Sequence, residues 1–176
     1  MNSVQQDYFR DVVSDSVIGL FEDYGASCVP ARSAPGTGDV DAEIGTIVGF
    51  HGGGIRGGLA FTAPADLIAA TLPVPRRTEA GERQLRDWTV EVLNQLLGRF
   101  KNRLAASLDF AVGSIVCFRG SNIRLAFVPG KGGVALAFRV GGSSVEVYLD
   151  CEVVTDAGWE REHSVGIVPE GDVVIF

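Results

Sequence analysis

Two side chains that can cooperate in chemistry, the carboxylate of Glu91 and the carboxamide of Asn94, lie three residues apart in the stretch Asp87-Trp-Thr-Val-Glu-Val-Leu-Asn-Gln-Leu-Leu-Gly98. On a helix, residues three or four apart are surface neighbours, so this pair projects from one patch and can act on one partner. A carboxamide both donates and accepts hydrogen bonds, so it can hold a water molecule without adding negative charge. An ionised carboxylate only accepts, and it pairs naturally with a cation. Asp87 stands one turn before Glu91, and Gly98 and Lys101 continue the same line at helical spacing. A glycine inside a helix costs about 1 kcal/mol relative to alanine. At Gly98 it also removes bulk from the face that carries Glu91 and Asn94, so another backbone can come close there.

A helix must position these residues, and the sequence supplies one. Leu85, Trp88, Val92, Leu93, Leu96, Leu97, Phe100 and Leu104 fall on one broad side of a wheel drawn for residues 85–104. That is the apolar stripe of a helix packed on a core. Asp87, Glu91, Asn94, Gly98 and Lys101 lie opposite. The periodicity predicts a helix from about Glu79–Glu82 to about Ala106.

The pattern Asp-x-x-x-Glu-x-x-Asn followed by Gly98, Lys101 and Leu104 resembles the signature of the CheC/CheX/FliY phosphatases of bacterial chemotaxis. The order of expected elements over residues 4–152 is similar to that family too. A single motif helix makes the CheX-type members the nearest. The first helix carries no second Glu-x-x-Asn pair, and its Asp7, Asp11 and Asp15 read as a solvated face. The chain departs from the family in one place. Relatives carry a proline in the neighbourhood occupied here by Val112–Cys117, which puts the local strand geometry in question more than the active pair.

The resemblance implies an enzyme that hydrolyses the phosphoaspartate of a CheY-type response-regulator receiver, in chemotaxis or related two-component signalling. In that reading Asn94 orients the attacking water and Glu91 pairs with the receiver's active-site lysine. Asp87, Gly98 and Lys101 serve docking. The receiver supplies Mg2+, and the chain needs no cofactor or metal of its own. The physics agrees, since acyl-phosphate hydrolysis needs a water aligned with phosphorus and stabilised charge on the transferring group. The alternatives are a non-catalytic receiver-binding adaptor and a flagellar-switch-like assembly module. CheX-type relatives pair, so a homodimer is expected.

Bulk properties set wider bounds. The chain has 176 residues, 46% of them apolar, enough for one domain spanning 1–176 with a sizeable core. Its net charge of −7 argues against nucleic acid or an anionic membrane as main partner. Cys28, Cys117 and Cys151 are odd in number and lack metal-site spacing, which fits a reducing cytoplasm. The first residues do not read as a signal peptide, and no apolar run reaches the roughly 18 residues of a membrane span.

Along the chain, residues 4–22 predict a helix with Gly25 at its end, and residues 30–41 a turn-rich connector. Residues 43–50 and 54–62 predict a hairpin turning at His51-Gly52-Gly53. Those glycines lack the signature of a phosphate cradle, and His51 reads as solvated. Pro64 opens a short helix to about Leu72, followed by an exposed loop in which Arg76 and Arg77 read as solvated. Residues 109–118, 122–128, 133–140 and 143–154 predict three or four antiparallel strands in meander order, with Gly141-Gly142 a strong hairpin turn. Residues 156–176 lie outside the resemblance and are expected to add an edge strand or pack on a partner subunit. The expected fold is α+β: a roughly six-stranded, mainly antiparallel sheet with two long helices and one short helix packed on it.

Overall fold

Three helices and six strands follow in the order α1 (Ser3–Asp23), β1 (Cys28–Pro30), β2 (Ile44–His51), β3 (Ile55–Ala63), α2 (Ala65–Thr71), α3 (Glu82–Arg103), β4 (Ala111–Arg119), β5 (Val134–Val140) and β6 (Ser143–Val153). The computed structural model describes residues 2–31, 42–73, 81–104, 108–125 and 133–154. The strands form one antiparallel sheet in the order β1-β5-β6-β3-β2-β4. The architecture is the α+β arrangement that the hydrophobic periodicity predicts.

Local chemistry sets the ends of α1. The Asn2 side chain accepts from the Gln5 backbone N–H while the Gln5 side chain accepts from that of Asn2, a reciprocal capping box. At the other end Gly25 adopts φ 75°, and the N–H groups of Gly25 and Ala26 donate to the carbonyls of Glu22 and Phe21. This left-handed turn sends the chain back towards the sheet. Buried Phe9, Val13, Val17, Leu20 and Phe21 form the inner stripe of α1.

The sheet order corrects the expected meander. Short turns encode only the local pairs β2–β3 and β5–β6. The second of these turns at Gly141 and Gly142, whose φ values of 54° and 92° suit a type I′ hairpin. The other pairings are non-local: β6 docks on β3, β4 on the outer side of β2, and β1 on β5. Strand β1 falls in part within the expected connector. It is three residues long and ends in proline, too short to show alternation and tolerated because it lies at a sheet edge. The strand expected over 122–128 does not form in its described part, where Asn122 takes φ 55° and Ile123 N–H bonds the Ala42 carbonyl. The rest of that stretch, the loop with Arg76 and Arg77, and the tail at 156–176 lie outside the described residues.

Helix α1 packs over β1 and β5 and against α3, while α3 lies over β2, β3 and β4 with α2 beside it. The junction is aromatic. Phe100 on α3 is fully buried, with its ring centroid 6.3 Å from Phe9, 6.2 Å from Phe50 and 6.2 Å from Phe110. One side chain therefore ties α1, β2, α3 and the entry to β4 into one core. This packing fixes which face of α3 points outward.

Candidate functional site

Helix α3 buries Leu85, Thr89, Val92, Leu93, Leu96, Leu97 and Phe100, and its opposite side forms a ridge. Asp87, Asn94, Gly98 and Lys101 are exposed on that ridge and Glu91 is half-buried beside them. A three-residue step on an α-helix turns about 300°, so Glu91 and Asn94 stand about 60° apart around the axis. The sequence-derived pair is thus placed on the outward side of the helix, away from the core.

The ridge stands between two grooves that meet at Asp87. One, about 780 Å³, separates α3 from β4 and is lined by Glu82, Arg83, Arg86, Asp87, Val90, Ile115 and Cys117. The other, about 350 Å³, is lined by Leu72, Gln84, Asp87, Trp88 and Glu91 on the α2 side. Asp87 lies 4.0 Å from Arg83 one turn before it, an exposed contact of the kind that adds little stability. Trp88 closes the floor of the second groove: its indole N–H donates to Thr71 Oγ1 at 2.9 Å.

Glu91 is held from behind. Gln95 Nε2 donates to Glu91 Oε1 at 2.9 Å, and Tyr24 Oη donates to Gln95 Oε1 at 2.8 Å. Burial, helped by the Glu91 charge, pushes the Tyr24 phenol above its ordinary range and keeps it a donor. Gln95 and Tyr24 were not among the residues the spacing singled out. The separation of four between Glu91 and Gln95 is visible in the sequence, but the Tyr24 contact spans a chain separation of 71. Asn94, by contrast, makes no side-chain hydrogen bond among the described residues.

Lys101, expected on the docking line, has an intrachain task as well. Its Nζ donates to the Phe110 carbonyl at 3.0 Å, pairs with Asp109 Oδ1 at 2.8 Å and sits 5.5 Å from the Phe110 ring centroid. The Lys101 hydrogen bond and the Phe110 N–H hold the Asp109 carboxyl below its usual range. Lys101 therefore ties the end of α3 to the entry of β4.

Gly98 has no comparable internal reason. A Cβ built there meets no atom within 4 Å, and the residue is exposed in the middle of α3. Replacing Gly98 by alanine is accordingly expected to stabilise the fold by about 0.5–1 kcal/mol, read as a higher denaturant midpoint with unchanged slope. A destabilised variant would mean that glycine answers to a packing need inside the chain.

The neighbourhood of the missing family proline, Val112–Cys117, runs as part of β4 at the open sheet edge, with its register against β2 shifting between Val48 and Phe50. The three cysteines carry free thiols, and burial raises those of Cys28 and Cys151 to about 11 and about 12. Among the described residues, no three His, Cys, Asp or Glu cluster as a metal site would require. No helix among them is long and apolar enough to cross a membrane.

No family model and no curated protein matches the sequence. Solved structures do. The chain is similar to the chemotaxis protein CheX from Vibrio vulnificus, at 17% identity over 82% of this chain and 96% of that one, with a TM-score of 0.70. It is also similar to the CheX–CheY–BeF3–Mg2+ complex from Borrelia burgdorferi, at 18% identity over 83% of this chain and 96% of that one, TM-score 0.51. A third likeness is to the FliM middle domain from H. pylori, at 11% identity over 88% and 94%, TM-score 0.57.

Proposed function

We propose that this chain, built on the CheX/CheC-like fold, inserts the outer ridge of α3 into the phosphorylation site of a CheY-type receiver and hydrolyses its phosphoaspartate. The observation that carries this reading is the outward ridge itself: an uncommitted carboxamide at Asn94, a fixed carboxylate at Glu91, and a bare helix surface at Gly98. Helical glycine without an internal neighbour makes sense where another protein's backbone presses against the helix. A neighbouring fold has been seen in complex with CheY, BeF3 and Mg2+, which supports the choice of partner.

In the proposed reaction, water held by Asn94 attacks phosphorus in line. The bond from phosphorus to the acyl oxygen breaks, the receiver's aspartate leaves as carboxylate, and inorganic phosphate is released. Asn94 suits this because a second carboxylate near the phosphoryl oxygens would repel them. Glu91 pairs with the receiver's active-site lysine and sets the docking register. Mg2+ belongs to the receiver, where it offsets the phosphoryl charge. The work takes place in the cytoplasm, where receivers signal.

The uncommitted ridge also suits a second reading, a non-catalytic receiver-binding adaptor that docks through Glu91 and Asn94 without turnover. Phosphoaspartate lifetime separates the two. With Mg2+ and a phosphorylated receiver from the same genome, the first reading expects decay that accelerates in proportion to added chain. Binding that leaves the lifetime unchanged would establish the second reading and remove the first.

A further inference from the structure

We infer that Tyr24 and Gln95 are positioning residues that preset the Glu91 carboxylate for its partner, so that the C-terminal end of α1 tunes the ridge of α3. This rests on the proposed receiver-docking role of Glu91.

The hydrogen-bond chain has only one consistent direction. A carboxylate accepts, so the side of the Gln95 amide that faces Glu91 must be its NH2. The amide oxygen then faces Tyr24, and the phenol must donate to it. One N–H of the Gln95 amide and the Tyr24 hydroxyl are matched, and one Glu91 oxygen is occupied while the other, which bonds no group among the described residues, is left for an incoming cation.

Tyr24 is itself well fixed. It is the C-cap residue of α1, next to the left-handed turn at Gly25. Its ring meets Phe21 edge-on at 6.1 Å and lies 5.7 Å from Trp88. Trp88 is pinned in turn by its hydrogen bond to Thr71 on α2. The position of Glu91 thus depends on elements from three parts of the chain. A free glutamate on an exposed helix samples several rotamers and must be ordered when it binds. Ordering it in the folded chain removes that loss from the docking step.

The test compares wild type, Tyr24→Phe, Gln95→Leu and the double variant with a phosphorylated receiver and Mg2+. Gln95→Leu should raise KM about 3- to 10-fold, with the effect concentrated in KM instead of kcat, because ordering is lost at docking. Tyr24→Phe keeps the Gln95–Glu91 bond and should give a smaller rise. The double variant should be no worse than Gln95→Leu alone, because both act through one chain. Additive effects would indicate two unrelated packing defects and overturn the inference, as would an unchanged KM in Gln95→Leu.

A readout without receiver keeps the two proposals apart. The Gln95 side-chain amide resonances should move in Glu91→Ala, and this coupling should weaken in the Tyr24→Phe background. Resonances that ignore Glu91 would overturn the positioning role even if wild type is an active phosphatase. A wild-type chain that binds no receiver would overturn both.

Discussion

Asn94→Ala is expected to abolish most of the acceleration of receiver dephosphorylation, by roughly 100-fold or more, while receiver affinity changes by less than about twofold. The size follows from the role. A water aligned on phosphorus contributes only in the transition state, so its loss appears in kcat. The structure removes the usual ambiguity of such a variant. The Asn94 side chain is exposed and has no hydrogen-bond partner among the described residues, so truncation leaves nothing buried and unpaired. Alanine is also the better helix former, and thermal stability should hold or rise slightly. Activity and stability therefore move independently. A variant that keeps full activity would show that the water is held by another group, and one that loses binding in parallel would make Asn94 a docking contact.

Phe100→Ala is expected to have the largest effect on the fold. The ring is fully buried and touches aromatic neighbours from α1, β2 and the start of β4. Removing a buried phenylalanine typically costs about 3–5 kcal/mol, the lost transfer energy plus the cavity left behind. Against a typical total of about 5–15 kcal/mol, that is a large share. Denaturant unfolding should show a much lower midpoint. The receiver assay should fail with it, since Phe100 holds α3 at the height where its ridge stands clear of the sheet. A loss under about 1 kcal/mol would mean that the four rings are not the junction of the core.

What the sequence made readable follows from the range of each interaction. The two faces of α3 are a local matter, because a period of 3.6 residues separates Phe100 and Leu96 from Glu91 and Asn94 without reference to the rest of the chain. The hairpins at Gly52 and at Gly141-Gly142 are equally local. Sheet order is not. Nothing near β6 says that it pairs with β3, whose residues lie far upstream, so three consecutive strands read as a meander when they are split across two sides of β3. The same limit applies at the site. Asp87, Glu91, Asn94, Gly98 and Lys101 could be named from their spacing taken together with the family signature it resembles. Tyr24 could not, because only the turn at Gly25 and the packing of α1 on α3 bring it to Gln95. Nor could the tether from Lys101 to Asp109 and Phe110, which depends on how the chain leaves the helix.

These local and non-local parts meet at one surface. Burial fixes the inner stripe of α3, and the outer stripe follows by geometry. The hydrogen-bond chain from Tyr24 then orders one member of that stripe, while Gly98 leaves room for a visitor. Docking is common to both the catalytic and the adaptor readings, so a direct map of the contact surface bears on each.

The measurement that tests it most directly is amide chemical-shift mapping of the 15N-labelled chain on addition of beryllofluoride-activated receiver with Mg2+. The account predicts that the largest shifts and line broadening fall on Asp87, Glu91, Asn94 and Gly98, with the outward residues of α1 (Asp7, Asp11 and Asp15) unmoved. Perturbations centred on α1 or on strands β5 and β6, with the α3 ridge silent, would contradict it.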